Sequence, residues 1–386
     1  MRDPEPGGHE EPKQLSRPTV NDVARTAGVS LATVDRVLNG RPGVREVTVR
    51  RVNEAIGALG YVRDVSAANL ARQRHYGLVL FLPEGDGEFV RALVRAAEAA
   101  APVARVERTG VEVRRHRAHD PHALARDLDA LDGATTDGVA IMAPETPHVR
   151  DAVTRLKARG IAVVALVSDL PSTARDRFVG IDNVAAGRTA GALLGRFVAR
   201  ARGPASASAP DSPREPARVL VLAGSTRARD GVERRLGLDA VLAERFAGIE
   251  ALPSLEGHED PATIRRAVGN ALDAHPGVAG VYSLGTEHGA LIEALVEREL
   301  AGRVPVLVHE LTAHARAALL AGTVDAVITQ DAGHVVRSAL RVLRATSDAL
   351  DVDAAQETVR IEIVLRENLP SEAFDTEALQ DGGKWG

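Results

Sequence analysis

Cysteine is absent from the 386 residues. Its absence excludes a disulfide scaffold, a thiolate zinc site and a cysteine nucleophile, and it suits a reducing compartment. Aromatics are nearly as scarce, at 3%, so alanine, valine and leucine must form the core and stacking platforms for bases are few. No apolar run approaches the roughly 18–20 residues that a membrane-spanning helix needs. The first 16 residues are rich in Pro, Gly, Glu and His, without an apolar stretch, and no export signal is expected there. Enzyme signatures are missing as well: no G-x-S-x-G elbow, no H-E-x-x-H and no glycine-rich phosphate loop with its lysine. The 12 histidines are scattered without metal-ligand spacing. Neither an enzymatic activity nor a metal or cofactor is expected.

What is present suits a small module followed by a domain of roughly 250–300 residues. Apolar residues make up 45% of the chain, enough for a large core. The formal net charge is −5, but the segment from Arg17 to His75 holds 10 Arg and Lys against 5 Asp and Glu. A basic segment on an acidic body fits a nucleic-acid-binding module, although a solvated basic surface gives the same count.

Beyond a tail at 1–16, three short helical patterns occupy 17–62 and a linker follows at 63–75. From Tyr76 to about residue 370, short apolar runs alternate with amphipathic stretches. Strands are expected at Gly77–Leu82, Gly138–Ala143, Ile161–Val167, Arg218–Ala223, Val278–Ser283, Val304–Val308 and Val324–Thr329. Such alternation implies parallel sheets with helices on both faces, and two sheets to hold the strands. The stretch Ala201–Ala217, rich in Pro, Ser and Ala, reads as a flexible exposed loop within this domain or as an interdomain linker. Residues 371–386 form a second tail.

Within the basic segment, Thr19 can cap a first helix that buries Val23, Ala24 and Ala27, and Gly28 can end it in a left-handed conformation. Ser30 can cap a second helix with Val34, Val37 and Leu38 as its inner stripe. A third helix follows, with Val52, Ile56 and Leu59 inward. Two helices joined by a glycine turn form a helix-turn-helix, whose second helix fits the major groove. A three-helix module for protein contact has the same spacing. Leu31, Ala32, Thr33, Asp35 and Arg36 would face outward: Arg36 toward guanine or phosphate, Leu31 and Ala32 toward thymine methyls. Asp35 repels phosphate unless it accepts from cytosine or orients an arginine.

The run Thr19–Asn39, TVNDVARTAGVSLATVDRVLN, with Val44 and Leu59–Gly60–Tyr61, resembles the headpiece of the lactose/galactose repressor (LacI) family, T-x-x-D-V-A-x-x-A-G-V-S-x-x-T-V-S-R-V-L-N. The resemblance implies base contacts from Leu31, Ala32 and Arg36, and backbone anchoring by Thr19, Ser30, Thr33 and Asn39. Asp35 stands where the family usually has serine. A hinge helix is implied at Asp64–Arg72, with Leu70 as the wedge between base pairs. There Arg63 replaces the usual proline and can bind phosphate, and Asp64 replaces asparagine.

From Tyr76 to about Glu362 the chain resembles the type I periplasmic sugar-binding fold that forms the core of these repressors. The expected fold is therefore an all-α headpiece followed by a two-lobed α/β domain with two parallel sheets, three crossovers and a ligand cleft between the lobes. The resemblance places ligand contacts at Asp182 and Asn183 (FVGIDN), Arg234 (ARDGVERRLG), Glu310 (VLVHELT) and Gln330 (VITQDAG), with Ser168 and Asp169 at the position of a family Asp-Arg pair. Carboxylate, amide and guanidinium groups suit adjacent hydroxyls, each of which donates and accepts. Asp182 and Asn183 can instead cap a helix, one of Arg234 and Arg235 belongs on the surface, and Glu310 can cap or bridge the lobes. His309 reads as a packing residue.

The expected protein is a cytoplasmic, ligand-controlled transcription repressor. Its partners are operator double-stranded DNA, a carbohydrate-like effector (a purine being an alternative) and its own second copy, as a dimer or tetramer. The competing readings are a solute-binding protein serving a transporter or receptor, and a nucleoid-type DNA binder without a ligand.

Overall fold

The computed structural model describes residues 18–38, 42–59, 61, 74–85, 87–117, 120–171, 173–203, 215–225, 228–258, 260–285 and 287–370. Asn39, Arg63, Leu70, the expected hinge helix and both tails lie outside these residues. The chain divides into two compact units, Met1–Arg74 and His75–Gly386.

In the first unit, helices α1 (Val20–Ala27), α2 (Leu31–Leu38) and α3 (Glu46–Leu59) close around Val23, Ala24, Ala27, Val34, Val52 and Ala55. Local side chains delimit the helix pair. The Thr19 amide donates to Asp22 Oδ2 at 2.8 Å while the Asp22 amide donates to Thr19 Oγ1, so that two helix-start donors are satisfied reciprocally. Gly28 stops α1 at φ +60°, and its amide donates to the carbonyls of Ala24 and Arg25. A side chain there would be strained and would meet Arg51 Nη2 at 2.8 Å. The Arg51 guanidinium donates to the carbonyls of Ala27 and Gly28, tying α3 to the turn. Ser30 Oγ accepts from the Thr33 amide at 3.2 Å and starts α2.

The second unit holds two sheets. The first runs β2 (Thr109–His116), β1 (Tyr76–Pro83), β3 (Gly138–Ile141), β4 (Ala162–Leu166) and β5 (Arg177–Val179), all parallel. Helices α4 (Glu88–Val106), α5 (Pro121–Asp129) and α6 (Pro147–Ala158) connect its strands. The chain then leaves by residues 180–182 into α7 (Asn183–Arg202) and builds the second sheet from β6 (Ala217–Ala223), β7 (Ile249–Ala251), β8 (Leu255–Glu256), β9 (Val278–Ser283), β10 (Val306–His309) and β11 (Ala326–Thr329). Its helices are α7, α8 (Arg229–Arg245), α9 (Pro261–Ala274), α10 (Gly289–Glu297) and α11 (Ala313–Ala321). After β11 the chain returns through residues 330–331 to α12 (Ala332–Ser347), which packs on β3 and β4 of the first sheet. It crosses a third time, through 348–361 and the short α13 (Ala354–Glu357), to β12 (Glu362–Val364), antiparallel to β11. Two lobes joined by three crossovers result.

The central strands are buried throughout, as a parallel sheet covered on both faces requires. Strand β2 was not expected: Glu112, Arg114 and Arg115 break its apolar run because it lies at a sheet edge. Strands β5, β7, β8 and β12 are too short to show a period. The loop expected at 201–217 is trimmed at both ends, since α7 runs to Arg202 and β6 begins at Ala217. Among the described residues, no helix is long and apolar enough to cross a membrane.

Candidate functional site

The site begins with a backbone contact between two helices. On α7, Gly187, Gly191 and Gly195 recur every four residues and therefore share one face. A Cβ on Gly187 would lie 1.9 Å from the Arg234 carbonyl oxygen of α8, and one on Gly237 would lie 2.1 Å from that of Val184. Glycine is thus required on both sides of the crossing, and this close approach carries Arg234 to the start of α7. Its Nε donates to Asn183 Oδ1 at 2.9 Å and its Nη1 to the Leu284 carbonyl at 2.9 Å. Asn183 Nδ2 in turn donates to the Val167 carbonyl in the first lobe, at 3.1 Å.

Both lobes present a strained residue just beyond a central strand. Val167 follows β4 with φ +62°, and Glu310 follows β10 with φ +64°. Side-chain-bearing residues seldom adopt this region, and it typically costs about 1–3 kcal/mol. At Glu310 the geometry brings the carboxylate into the interior, where Oε2 accepts from Thr329 Oγ1 at 3.0 Å and Oε1 from Gln330 Nε2 at 2.9 Å. Arg234 Nη2 stands 3.9 Å from Glu310 Oε1, and Asp230 Oδ2 is 3.8 Å from Arg234 Nη1. Burial pushes the Glu310 carboxyl above its ordinary value, against the pull of Arg234 and its two hydrogen-bond donors.

Beside this cluster lie Tyr282, His288 and His309, all buried, of which only His309 was expected as a packing residue. Tyr282 Oη and His309 Nε2 are 2.5 Å apart, and His288 Nε2 donates to the His309 carbonyl at 2.6 Å. Burial lowers His288 to about 4 and His309 well below its usual value, and raises the Tyr282 hydroxyl. The two imidazoles are therefore neutral at neutral pH. Among the described residues, Ser168 Oγ and Gln330 Oε1 are buried without a hydrogen-bond partner, as are Ser283 Oγ and the Nδ1 atoms of His288 and His309. Buried polar atoms are ordinarily satisfied, so orphans beside an ionic cluster mark a place where another molecule can bond.

The expected ligand residues separate into two groups. Asn183 and Arg234 are hydrogen-bonded, as are Glu310 and Gln330, and the 3.9 Å Arg234–Glu310 ion pair links the two pairs, while buried Ser168 follows the carbonyl that Asn183 binds. Asp169 instead pairs with Arg175 through both carboxylate oxygens (Nη2–Oδ2 2.6 Å), and exposed Asp182 caps α7 by accepting from the Ala185 amide at 2.9 Å. Arg235 faces the surface side, bonding Asp239 and the Leu252 carbonyl. Besides the Asn183–Val167 bond, further contacts among the described residues join the lobes. Arg229 Nη1 lies 3.1 Å from Glu145 Oε2, and Glu88 of the first lobe accepts from the Ala313 amide at the start of α11. No group of metal-ligating side chains occurs among the described residues.

On the first unit, Leu31 is 49% exposed, Ala32 and Arg36 are exposed, and Asp35 is half-buried. Ser30 and Thr33 share a hydroxyl–hydroxyl bond of 2.9 Å. Among the described residues, Arg36 pairs with no carboxylate, so its guanidinium is available on the outer face of α2.

Comparison with known proteins agrees with this architecture. Residues 19–64 match the family model described as bacterial regulatory proteins, lacI family, and residues 78–349 match the periplasmic binding protein domain. The HTH-type transcriptional regulator RegA of Clostridium saccharobutylicum is 44% identical over 80 residues, 21% of this chain and 24% of that protein. Catabolite control protein A of Priestia megaterium is 31% identical over 164 residues, 42% of this chain and 47% of the relative. The chain thus spans less than half the length of these relatives. Among solved structures, the glucose-galactose binding protein GanP of Geobacillus stearothermophilus superposes with a TM-score of 0.66 at 19% identity, over 77% of this chain and all of that one. A putative LacI transcriptional regulator from Bacteroides fragilis gives 0.61 at 17% identity, over 76% and 98%. Identities this low speak to the fold alone. The chain belongs to the periplasmic binding protein domain family, and it carries in front of that domain the helix-turn-helix headpiece of the lacI family of bacterial regulatory proteins.

Proposed function

We propose that the protein is a sequence-specific transcription repressor of the cytoplasm that binds operator double-stranded DNA under the control of a small polyhydroxylated effector. The observation that carries the reading is the buried Arg234–Glu310–Gln330 cluster, with its orphan acceptor, on the same chain as a capped helix-turn-helix. On the DNA side, Leu31, Ala32 and Arg36 offer an exposed reading face. Thr19, Ser30, Thr33 and Asn39 would anchor the backbone, Asp35 would orient a neighbour, Arg63 would bind phosphate and Leu70 would wedge into the minor groove. On the effector side, Ser168, Asn183, Arg234, Glu310 and Gln330 would share the hydroxyls of one ligand. Asp169 and Asp182, already engaged, would act at the margin.

The working unit in this reading is a homodimer, or a tetramer built from it, with two headpieces on a near-palindromic site. Effector binding shifts the population between lobe arrangements, and by linkage the effector and DNA alter each other's affinity by the same factor. No enzymatic step and no cofactor is invoked. Footprinting of the full-length chain on selected DNA, with and without a panel of sugars and polyols, tests the proposal. A sequence-preferring footprint whose affinity one sugar changes is expected. Sugar binding without any preferred DNA would transfer the protein to the solute-binding reading.

A further inference from the structure

A groove of about 840 Å³ opens where the first and third crossovers run side by side. This is within the roughly 300–1,000 Å³ typical of small-molecule sites. It is lined by Arg177 and Phe178 of β5, by residues 180–184, by Val342 of α12 and by the stretch around Val352 and Val359. Of the buried cluster described above, only Asn183 reaches its wall; Arg234, Glu310 and Gln330 do not.

Its charges are unevenly engaged. Four carboxylates line it, and each already has a partner: Asp169 binds Arg175, Asp182 caps α7, Glu233 binds Arg229 at 2.8 Å and Glu357 binds Arg341 at 2.8 Å. The two arginines whose guanidiniums remain are Arg177 and Arg360. Among the described residues, Arg177 donates only to the Asp176 carbonyl, and neither arginine pairs with a carboxylate. Glu362 lines a smaller adjoining hollow of about 300 Å³, which Arg360 shares. Phe178, Ile181, Val342 and Val352 supply an apolar lining.

From this arrangement we infer that the groove is a second ligand site, separate from the buried cluster, for a small amphipathic anion with an apolar body and a carboxylate or phosphate head. Guanidiniums left without carboxylate partners favour a planar or tetrahedral oxyanion by charge-assisted, bidentate bonding. The apolar lining rewards a ligand that brings hydrocarbon rather than the anion alone. An occupant touches two of the three crossovers at once, so it sits where lobe movement must be accommodated. The groove shares Asn183, Asp169 and Asp182 with the residues assigned above to the effector, but its two arginines, Arg177 and Arg360, are not among them.

Titration calorimetry on the full-length chain tests it, with 4-phenylbutyrate, phenyl phosphate, inorganic phosphate and the neutral 4-phenylbutanamide as probes. Saturable binding of phenylbutyrate or phenyl phosphate at one site per chain is expected, and which of the two binds more tightly identifies the head group. The neutral amide and inorganic phosphate should each bind about tenfold more weakly or worse. Arg177→Gln and Arg360→Gln should each weaken the anion about tenfold, and the double variant should abolish binding while melting as wild type. Arg95→Gln, an exposed control on α4, should change nothing. Amide binding equal to the acid, inorganic phosphate binding equal to phenyl phosphate, or a folded double variant that still binds would each overturn the proposal.

Discussion

The headpiece and the two-lobed domain treat their polar side chains in opposite ways. In the headpiece, Thr19, Asp22, Ser30 and Thr33 bond within three residues of themselves and stay near the surface. In the large domain, Asn183, Arg234, Glu310 and Gln330 come from four separate segments and meet in the interior. Removing a local cap exposes a helix end that water can satisfy. Removing one member of the buried set leaves a partner with no water to replace it. The headpiece should therefore tolerate single polar losses that the large domain does not.

The largest expected effect is Arg234→Ala. It strands Glu310 in the interior and should destabilise the large domain by about 3–5 kcal/mol, read as a fall in the calorimetric transition of that unit with the headpiece transition unmoved. A loss under about 1 kcal/mol would break the contrast. Gly187→Ala comes next, because its Cβ would overlap the Arg234 carbonyl. Overpacking of this kind typically costs about 1–3 kcal/mol, and denaturant melts should show it. Should the variant be neutral, the close crossing of α7 and α8 does not hold Arg234 in place.

The pH dependence sharpens the comparison further. The folded-state pKa of Glu310 is raised above 4.5 by burial, so its contribution is greatest at low pH and is lost as pH rises through the raised value. His288 runs the other way. Lowered to about 4 from 6.5, it contributes stability above pH 6.5 that is lost as pH falls toward 4. Stability–pH curves of Glu310→Gln and His288→Asn should each lose the corresponding slope, and curves parallel to wild type would refute the assignment. Thr19→Ala should cost the headpiece only about 1 kcal/mol, seen as earlier melting of its helices by circular dichroism. Glu145→Gln removes a half-exposed partner of Arg229 between the lobes. It should change stability by less than about 1 kcal/mol, and a larger loss in calorimetry would make that contact a principal clamp.

Much of the fold was legible because the central strands are buried on both faces and read as apolar runs. The edge strand β2 escaped because only part of its surface is covered, which lets Glu112, Arg114 and Arg115 stand in it. The glycines of α7 were in plain view, at a spacing of four, yet their meaning depends on a second helix more than 40 residues away. Asp169 and Asp182 were ligand candidates only through the family resemblance. A carboxylate before a helix serves equally well as a cap, and the preference for Arg175 arises only when the loop folds back.

By itself the sequence determined the headpiece, since each cap and its target lie three residues apart and a turn of helix closes the bond. It also determined the alternation of strands and helices, which follows from apolar patterning. Only the tertiary structure decided between Arg234 and Arg235. One residue along a helix turns the side chain by about 100°. Packing of α8 against α7 then placed Arg234 among buried partners and left Arg235 to Asp239 and Ser254.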